Sequence, residues 1–220
     1  MNMLKFREMI KRYEAENAIE KVVKESNTKY VVYFRCGLVK EVRILRKTTN
    51  EDFKMGCYRA VMKDLKAVDL SQLKEVNDCD LNVNFGNINE DDETEIYKVD
   101  INRCYFNVAH QLGFISDENY EKYKDRQYKY SINIAIGCTA SKTMVVTYDG
   151  EGKKKLEMLE NPMAKIRANI LDYVAKLYYE VAEATDVEYF HTDCFFIRNK
   201  DEIGVIGKIL EKHGLTYKLE

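Results

Sequence analysis

The sequence predicts an α+β fold in which an antiparallel sheet is backed by helices on one face. Two observations lead to this prediction. Strand-like runs are interleaved with helix-like segments along the 220 residues, and strands that would be neighbours in a sheet lie far apart in sequence. A continuous apolar stripe also begins after the only proline, Pro162, and runs along a long helix at residues 162–184. One face of a sheet is needed to bury that stripe.

The first part of the chain is predicted to form an N-terminal α/β extension. Its expected elements are a helix over residues 2–25, strands over 30–34 and 39–45 joined by a Cys36-Gly37 turn, and a helix over 50–66. Asn50 is the expected N-cap of the second helix. The polar and acidic stretch over about residues 77–95 is the expected boundary, and it divides the chain into 1–94 and 95–220.

The region 95–220 is predicted to carry the sheet and most of its helices. Its expected elements are a strand ending at Asp100, helices over 105–112, from the N-cap Ser116 to about 124 and over 126–140, a strand over 143–148, the long helix, a hairpin around Asp193, a helix near 201–213 and a strand over 216–219. Two of these strands therefore end in a single carboxylate, Asp100 and Asp193.

The composition limits the class of protein. With 45% hydrophobic and 33% charged residues the chain suits a soluble globular protein, and it has neither an apolar run of about 18 residues nor a signal peptide. The six cysteines form no C-x-x-C pair, which argues against a zinc site and for reduced thiols in the cytoplasm. A net charge of −2 gives no overall nucleic-acid signature, and the local basic clusters are by themselves typical of solvated faces.

The two carboxylates are the strongest chemical signal. Residues 189–197 predict an apolar strand, a tight polar turn that holds Asp193, and a second apolar strand. Each carboxylate alone has an ordinary interpretation, because Asp is common in turns and Asp100 would also serve as an N-cap. Two strand-anchored carboxylates that converge from distant parts of a chain are, however, what a two-metal phosphoryl-transfer site requires.

A second signal lies on the helix predicted over 126–140. Lys129, Asn133 and Gly137 are spaced by four residues, which places them on one face of a helix. A lysine supplies positive charge to phosphates, and a glycine lets a backbone or a base approach closely. The alternative is an exposed lysine beside an unfavourable glycine, but a glycine costs about 1 kcal/mol in a helix interior and so needs a reason.

In this order, the three segments resemble the palm and fingers motifs of family B DNA polymerases, most nearly those of the protein-primed phage type. The family's D-x-x-S-L-Y-P motif matches at Asp100 and Tyr105, its K-x-x-x-N-S-x-Y-G motif at Lys129, Asn133 and Gly137, and its Y-x-D-T-D-S motif at Tyr189, Thr192 and Asp193. The resemblance covers about residues 95–200. It implies a palm-like sheet with short helical fingers inserted at about residues 106–142.

The resemblance implies a role for each matching residue. Asp100, Asp193 and the backbone carbonyl of Ile101 would hold two Mg²⁺ ions, or Mn²⁺ in their place. Tyr105 would pack under the sugar of the incoming nucleotide and reject a 2′-hydroxyl. Lys129, helped by Arg126, would neutralise the triphosphate, while Asn133 and Gly137 would line the nascent base pair.

The sequence also departs from the family pattern. His191 replaces the first carboxylate of the third motif, so the roles of His191 and of the neighbouring Thr192 stay open. Arg103 stands where the first motif has a small residue. The segments before Asp100 and after Asp193 are too short for the family's exonuclease domain and full thumb, so weak grip on duplex and short products are expected.

The resemblance leads to one main functional hypothesis and two alternatives. The main hypothesis is a cytoplasmic, minimal DNA polymerase or primase of a bacterial or phage-infected cell, which takes dNTPs and a DNA primer–template or single-stranded DNA. A further replication protein would supply grip or a primer. The first alternative is a palm-derived protein that binds nucleic acid or a replication partner without catalysis. The second is an unrelated α+β interaction domain whose motif matches arose by chance.

Overall fold

The fold is α+β, as the sequence predicts, and the residues that the structure describes form two antiparallel five-stranded sheets. The computed structural model describes residues 1–25, 28–44, 52–76, 84–86 and 95–220. In chain order its helices and strands are α1 (Met3–Ala15), β1 (Ile19–Lys24), β2 (Lys29–Phe34), β3 (Val39–Arg43), α2 (Met55–Ala67), β4 (Asn84–Gly86), β5 (Tyr97–Ile101), α3 (Cys104–Gln111), α4 (Asp117–Tyr123), α5 (Lys129–Thr139), β6 (Thr143–Tyr148), β7 (Lys154–Leu159), α6 (Ala164–Ala184), β8 (Tyr189–His191), β9 (Cys194–Ile197), α7 (Ile203–Lys212) and β10 (Tyr217–Leu219).

The chain divides into two compact units, and each is formed from two separate stretches. The first unit contains Met1–Glu51 and Ala140–Ala164, and the second contains Asp52–Thr139 and Lys165–Glu220. This differs from the predicted division into 1–94 and 95–220. The physical reason is strand pairing: β6 pairs with β1, so a hairpin from the middle of the chain completes the N-terminal sheet.

The first unit has the strand order β3-β2-β1-β6-β7. Val22 on β1 lies opposite Val32 on β2 and Val146 on β6, so one apolar row crosses the centre of the sheet. Helix α1 covers this row. Its Phe6 ring is 4.5 Å from the ring of Tyr30, which places the only buried side chain of α1 in the core of the sheet.

The predicted helix over residues 2–25 is wrong in its second half. Helix α1 ends at Ala15, Asn17 has a left-handed φ of 50°, and the chain then continues as β1. Strands on both sides of β1 override its helical periodicity, since each supplies a ladder of backbone hydrogen bonds. The predicted N-cap Asn50 lies outside the described residues, and helix α2 begins at Met55.

The second unit has the strand order β10-β5-β9-β8-β4. One face of its sheet carries five fully buried apolar side chains, Val99, Ile101, Phe190, Phe195 and Ile197. Helix α6 packs on this face, because its Tyr178 ring lies 5.2 Å from the ring of Phe190. The long apolar stripe of α6 is buried, as the sequence predicts.

The opposite face of the same sheet carries the polar side chains of the site. The pairing register places the side chains of Asp100, His191, Cys194 and Lys218 on this face, in four adjacent strands. Side chains alternate between the two faces of a strand, so burial of Val99 and Ile101 on one side turns Asp100 to the other.

None of the helices in the described ranges is long and apolar enough to cross a membrane.

Candidate functional site

Strands β5 and β9 bring the two predicted catalytic carboxylates to one place. Asp100 lies opposite Cys194 in the ladder, and Cys194 directly follows Asp193 in the chain. The ladder continues beyond the strand into the turn, where the amide of Ile101 donates a hydrogen bond of 2.9 Å to the backbone carbonyl of Asp193. Ile101, the third predicted metal ligand, is therefore tied directly to Asp193.

The turn that presents Asp193 is unusually tight. The amide of Asp193 donates a 2.6 Å hydrogen bond to the carbonyl of His191, which closes a three-residue turn around Thr192. Thr192 has a φ of 62°, a conformation that is strained for a β-branched residue. Strained backbone of this kind tends to occur at functional sites, where the surrounding structure holds it in place.

Asp193 is held in an environment that disfavours its charge. Burial, and then the charge of Asp100, raise the pKa of Asp193, although the charges of Lys129, His191 and Lys218 oppose the rise. The pKa of the Cys194 thiol is raised to about 12 by burial and by the same two carboxylates. A site that crowds two carboxylates together has the electrostatic character that suits a divalent cation.

Lys218 is a site residue that the sequence analysis missed. It lies on β10 opposite Asp100, and its Nζ atom is 3.1 Å from Oδ2 of that carboxylate. It also forms an ion pair with Glu220. Only the position of β10 beside β5 reveals this contact, because nothing in the pattern around residues 216–219 indicates which strand lies next to it.

The donor set fits Mg²⁺ in the presence of a phosphate ligand. In the described ranges, no group of three or more His, Cys, Asp or Glu side chains could hold an ion by itself. Mg²⁺ is commonly bound by one or two carboxylates together with substrate phosphates and water. Asp100 and Asp193 supply such a pair, and an ion bound there would compete with Lys218 for the Asp100 carboxylate.

A positively charged cleft of about 360 Å³ opens beside Asp100. Its lining consists of Asp100, Asn102 and Thr216 together with five cationic side chains, Arg103, Lys124, Arg126, Lys129 and Lys218. Nucleotide polyphosphates carry several negative charges, so five cations around one carboxylate favour such a ligand. The structure thus brings Lys129 and Arg126 to the same cleft as Asp100.

Arg103 is the most constrained of these cations. It has a left-handed backbone with a φ of 50°, and its guanidinium lies 5.1 Å above the ring of Phe106. Its Nη2 donates to the carbonyl of Tyr123, while Nε and Nη1 are buried and have no hydrogen-bond acceptor among the described residues. Burial lowers the pKa of Arg103. Buried donors of this kind favour an anion as their partner.

Tyr105 lies in the first turn of α3, close to Asp193. Burial raises its pKa, and the charges of Cys104 and Asp193 raise it further, whereas Arg167 on α6 lowers it. Tyr105 is therefore an electrostatic neighbour of the carboxylate pair. His191 is exposed, and its Nδ1 atom lies 3.2 Å from the hydroxyl of Thr192.

The remaining predicted residues lie on α5. Asn133 lines a second cleft, of about 560 Å³, which shares Arg126 and Lys129 with the first. Gly137 lines neither cleft, and a Cβ atom added to it would meet no atom within 4 Å. The packing therefore gives no reason for a glycine at this position.

The fold and the site together define an α+β protein with a carboxylate pair at the end of a sheet, beside a cationic cleft. Comparisons of the chain with models of known protein families, with curated proteins and with solved structures returned no match. The geometry of the site itself is therefore the basis for a functional proposal.

Proposed function

We propose that the chain is a metal-dependent nucleotidyltransferase, a minimal family-B-like DNA polymerase or primase that adds dNTPs to a 3′-hydroxyl. The observation that carries the proposal is that Asp100 lines a cleft with five cations, while Asp193 precedes the ladder partner of Asp100 and lies close enough for its pKa to be raised by the charge of Asp100. A carboxylate pair binds metal and a cationic cleft binds phosphates, and nucleotidyl transfer needs both at one point.

In this proposal the reaction is an in-line displacement at phosphorus. The 3′-hydroxyl releases its proton to solvent as its oxygen forms a bond to the α-phosphorus of a dNTP, the bond from that phosphorus to the bridging oxygen breaks, and pyrophosphate leaves. Asp100, Asp193 and the carbonyl of Ile101 would hold Mg²⁺ or Mn²⁺, which neutralises charge as it develops on the phosphate oxygens.

The side chains of the cleft would bind and orient the nucleotide. Lys129 and Arg126 line both clefts and would hold the triphosphate, and Arg103, which lines the first cleft, would add positive charge beside it. Tyr105, beside Asp193, would lie under the sugar and exclude a 2′-hydroxyl. Asn133 and Gly137, one and two turns along α5 from Lys129, would face the base pair.

Primer extension tests the proposal. The purified protein is incubated with a labelled primer–template, four dNTPs and Mg²⁺ or Mn²⁺, and a primer-free reaction is run beside it. We expect extension by the wild type and none by Asp193→Asn. Asp186→Asn, which changes an exposed aspartate of the same unit, is the matched control and should extend normally.

Product formation by Asp193→Asn at the wild-type rate would contradict the assignment of Asp193 as a metal ligand. Products in the primer-free reaction would identify a primase, and their absence would identify an enzyme that extends existing primers.

A palm-derived protein that binds nucleic acid without catalysis is the second candidate. Two observations favour it: His191 stands where the family pattern has a carboxylate, and Lys218 already neutralises Asp100. Titration calorimetry with Mg²⁺ and Mn²⁺, in the presence of a dNTP, separates the two candidates. Heat of binding that disappears in Asp193→Asn supports the enzyme, whereas no metal binding by the wild type supports the binding protein.

A further inference from the structure

A row of aromatic rings lies on the second unit where α2 packs against α5. The ring of Phe53 is 6.4 Å from the ring of Tyr130 in an edge-on arrangement and 5.5 Å from the ring of Tyr58. Tyr130 is 42% exposed, and Phe53 and Tyr58 are partly exposed. Aromatic rings that keep a face or edge open to solvent are available to stack on a planar ligand.

One end of this row meets a basic stripe on α2. Arg59, Lys63 and Lys66 are spaced by four and three residues, so they lie on one face of the helix, and all three are exposed. They line a groove of about 340 Å³ together with Tyr58 and Met62. None of the three cations forms an ion pair with any residue in the described part of the chain.

The other end of the row meets the cationic clefts. Tyr130 lines the second cleft with Arg126, Lys129 and Asn133. Rings therefore connect the cations of α5 to the cations of α2. Both elements belong to the second unit, and they pack directly against each other, as the contact of 3.9 Å between the Tyr58 hydroxyl and the Cys138 sulfur shows.

We propose that this α2–α5 surface binds single-stranded nucleic acid. Unpaired bases offer faces that stack on Tyr130, Phe53 and Tyr58, and the phosphates of the same strand would lie along the cations at both ends. Surfaces that combine stacking rings with a basic track bind single strands with little sequence preference. A duplex does not fit the surface equally well, because its base faces are already stacked inside the helix.

The surface extends beyond the proposed active site. Identifying the bound strand as the template rests on the proposed function, since the second cleft shares Arg126 and Lys129 with the cleft beside Asp100. The binding itself requires no catalysis. A non-catalytic chain would use the same surface, and the experiment is therefore a binding measurement rather than an activity measurement.

Fluorescence anisotropy with a labelled oligothymidine of about 20 nucleotides, long enough to span a single-strand site, measures this binding. The test variant carries Arg59→Ala, Lys63→Ala and Lys66→Ala. The control carries Lys5→Ala, Arg7→Ala and Lys11→Ala, which removes two lysines and one arginine from the exposed side of α1 in the other unit. Alanine favours helix at all six positions, so both variants should fold.

We expect the test variant to bind more weakly and the control to bind as the wild type does. Each lost phosphate contact lowers the slope of log K against log salt by about 0.7, so the slope should fall by about 2. Tyr130→Leu should weaken binding roughly tenfold while leaving the salt slope unchanged, because stacking is lost but no charge is removed.

Equal affinity and equal salt slope in the test variant and the control would overturn the proposal, and so would tighter binding of a matching duplex than of the single strand. Preference for an acidic peptide over the oligonucleotide would also overturn it. Primer extension by the wild type and Asp193→Asn is measured in parallel. Loss of binding in the test variant together with an inactive wild type would support the surface while contradicting the polymerase. Unchanged binding in the test variant together with an active wild type would contradict the surface alone.

Discussion

At the scale of single residues, Asp193 is a side chain whose charge the fold disfavours. Burial and the charge of Asp100 both work against its ionisation. We therefore predict that Asp193→Asn, in EDTA at pH 7, has a higher free energy of unfolding than the wild type, because the amide removes one of two crowded charges. Urea unfolding measures the difference. A less stable variant would contradict this account of the carboxylate pair.

The same variant separates metal binding from folding. Mg²⁺ that binds only the folded protein raises its stability in proportion to the logarithm of the ion concentration. We expect the thermal midpoint of the wild type to rise with added Mg²⁺ and dNTP, and the midpoint of Asp193→Asn to stay constant. A parallel rise in both proteins would mean that the ion binds elsewhere.

Gly137 allows stability and function to be tested at one position. A Cβ atom would meet open space there, so Gly137→Ala should stabilise α5 by roughly 0.5–1 kcal/mol through helix propensity alone. If the residue faces the nascent base pair, the same change should slow nucleotide incorporation. Urea unfolding and single-nucleotide extension measure the two effects. Higher stability with unchanged incorporation would remove Gly137 from the site.

At the scale of elements, Asp64 joins α2 to the start of α4. Its Oδ2 atom accepts hydrogen bonds from the amide and hydroxyl of Ser116 and from the Nδ2 group of Asn119, at 2.7 to 2.9 Å. Burial works against ionisation, but the hydrogen bonds from Asn119 and Ser116 outweigh it and lower the pKa of Asp64. The carboxylate thus adds a tertiary contact to the Ser116 cap of α4.

Asp64→Ala should destabilise the protein by about 1 to 2 kcal/mol at pH 7, since the site is partly exposed and one acceptor of three bonds is lost. Because the pKa is lowered in the folded state, the stabilisation is complete above the ordinary pKa of 3.8 and is lost as the pH falls through the folded value. Unfolding at a series of pH values should show the wild type and the variant converging in acid. A constant difference would exclude the charge as the cause.

The helices and strands show which elements a local sequence pattern predicts correctly. Residues 143–148 form β6 as predicted, and Ser116 caps α4 through its hydroxyl, because both signals are local. Strand β7 was not predicted, since all six of its side chains are exposed and the burial that produces alternation is absent. The end of α1 was missed for a related reason: β1 is a strand because of partners that lie outside any local window.

The residues of the site also fall into those that a local sequence pattern predicts and those that depend on neighbours in the fold. Asp100 and Asp193 were predicted because each follows an apolar run, and the structure places β5 beside β9, which begins directly after Asp193. Lys218 and Arg103 were not predicted to line the site. The position of Lys218 depends on which strand borders β5, and the path of the Arg103 side chain depends on α4, whose Tyr123 carbonyl it contacts. Neither neighbour can be read from a local pattern.

At the scale of the whole molecule, folding of the first unit depends on two stretches of chain separated by most of the second. Val145 is buried in β6 opposite Val23 of β1. Val145→Asp should cost about 3 kcal/mol or more, because an unpaired carboxylate is buried. Hydrogen exchange should show lost protection in β1 and β2 as well as in β6. Loss confined to residues 143–159 would contradict the shared sheet, and Glu157→Ala on exposed β7 is the control.

The exposed strand β7 has a consequence for the behaviour of the protein in concentrated solution. It is the last strand in the order of its sheet, and Leu156, Met158 and Leu159 are each at least half exposed. An open strand edge with apolar side chains is a template for pairing with another chain. Lys154 and Lys155 on the same strand are each paired with a carboxylate, Glu14 and Glu157, so they leave little net charge to repel a second copy. Self-association through this edge should therefore increase with protein concentration, even while each molecule stays folded.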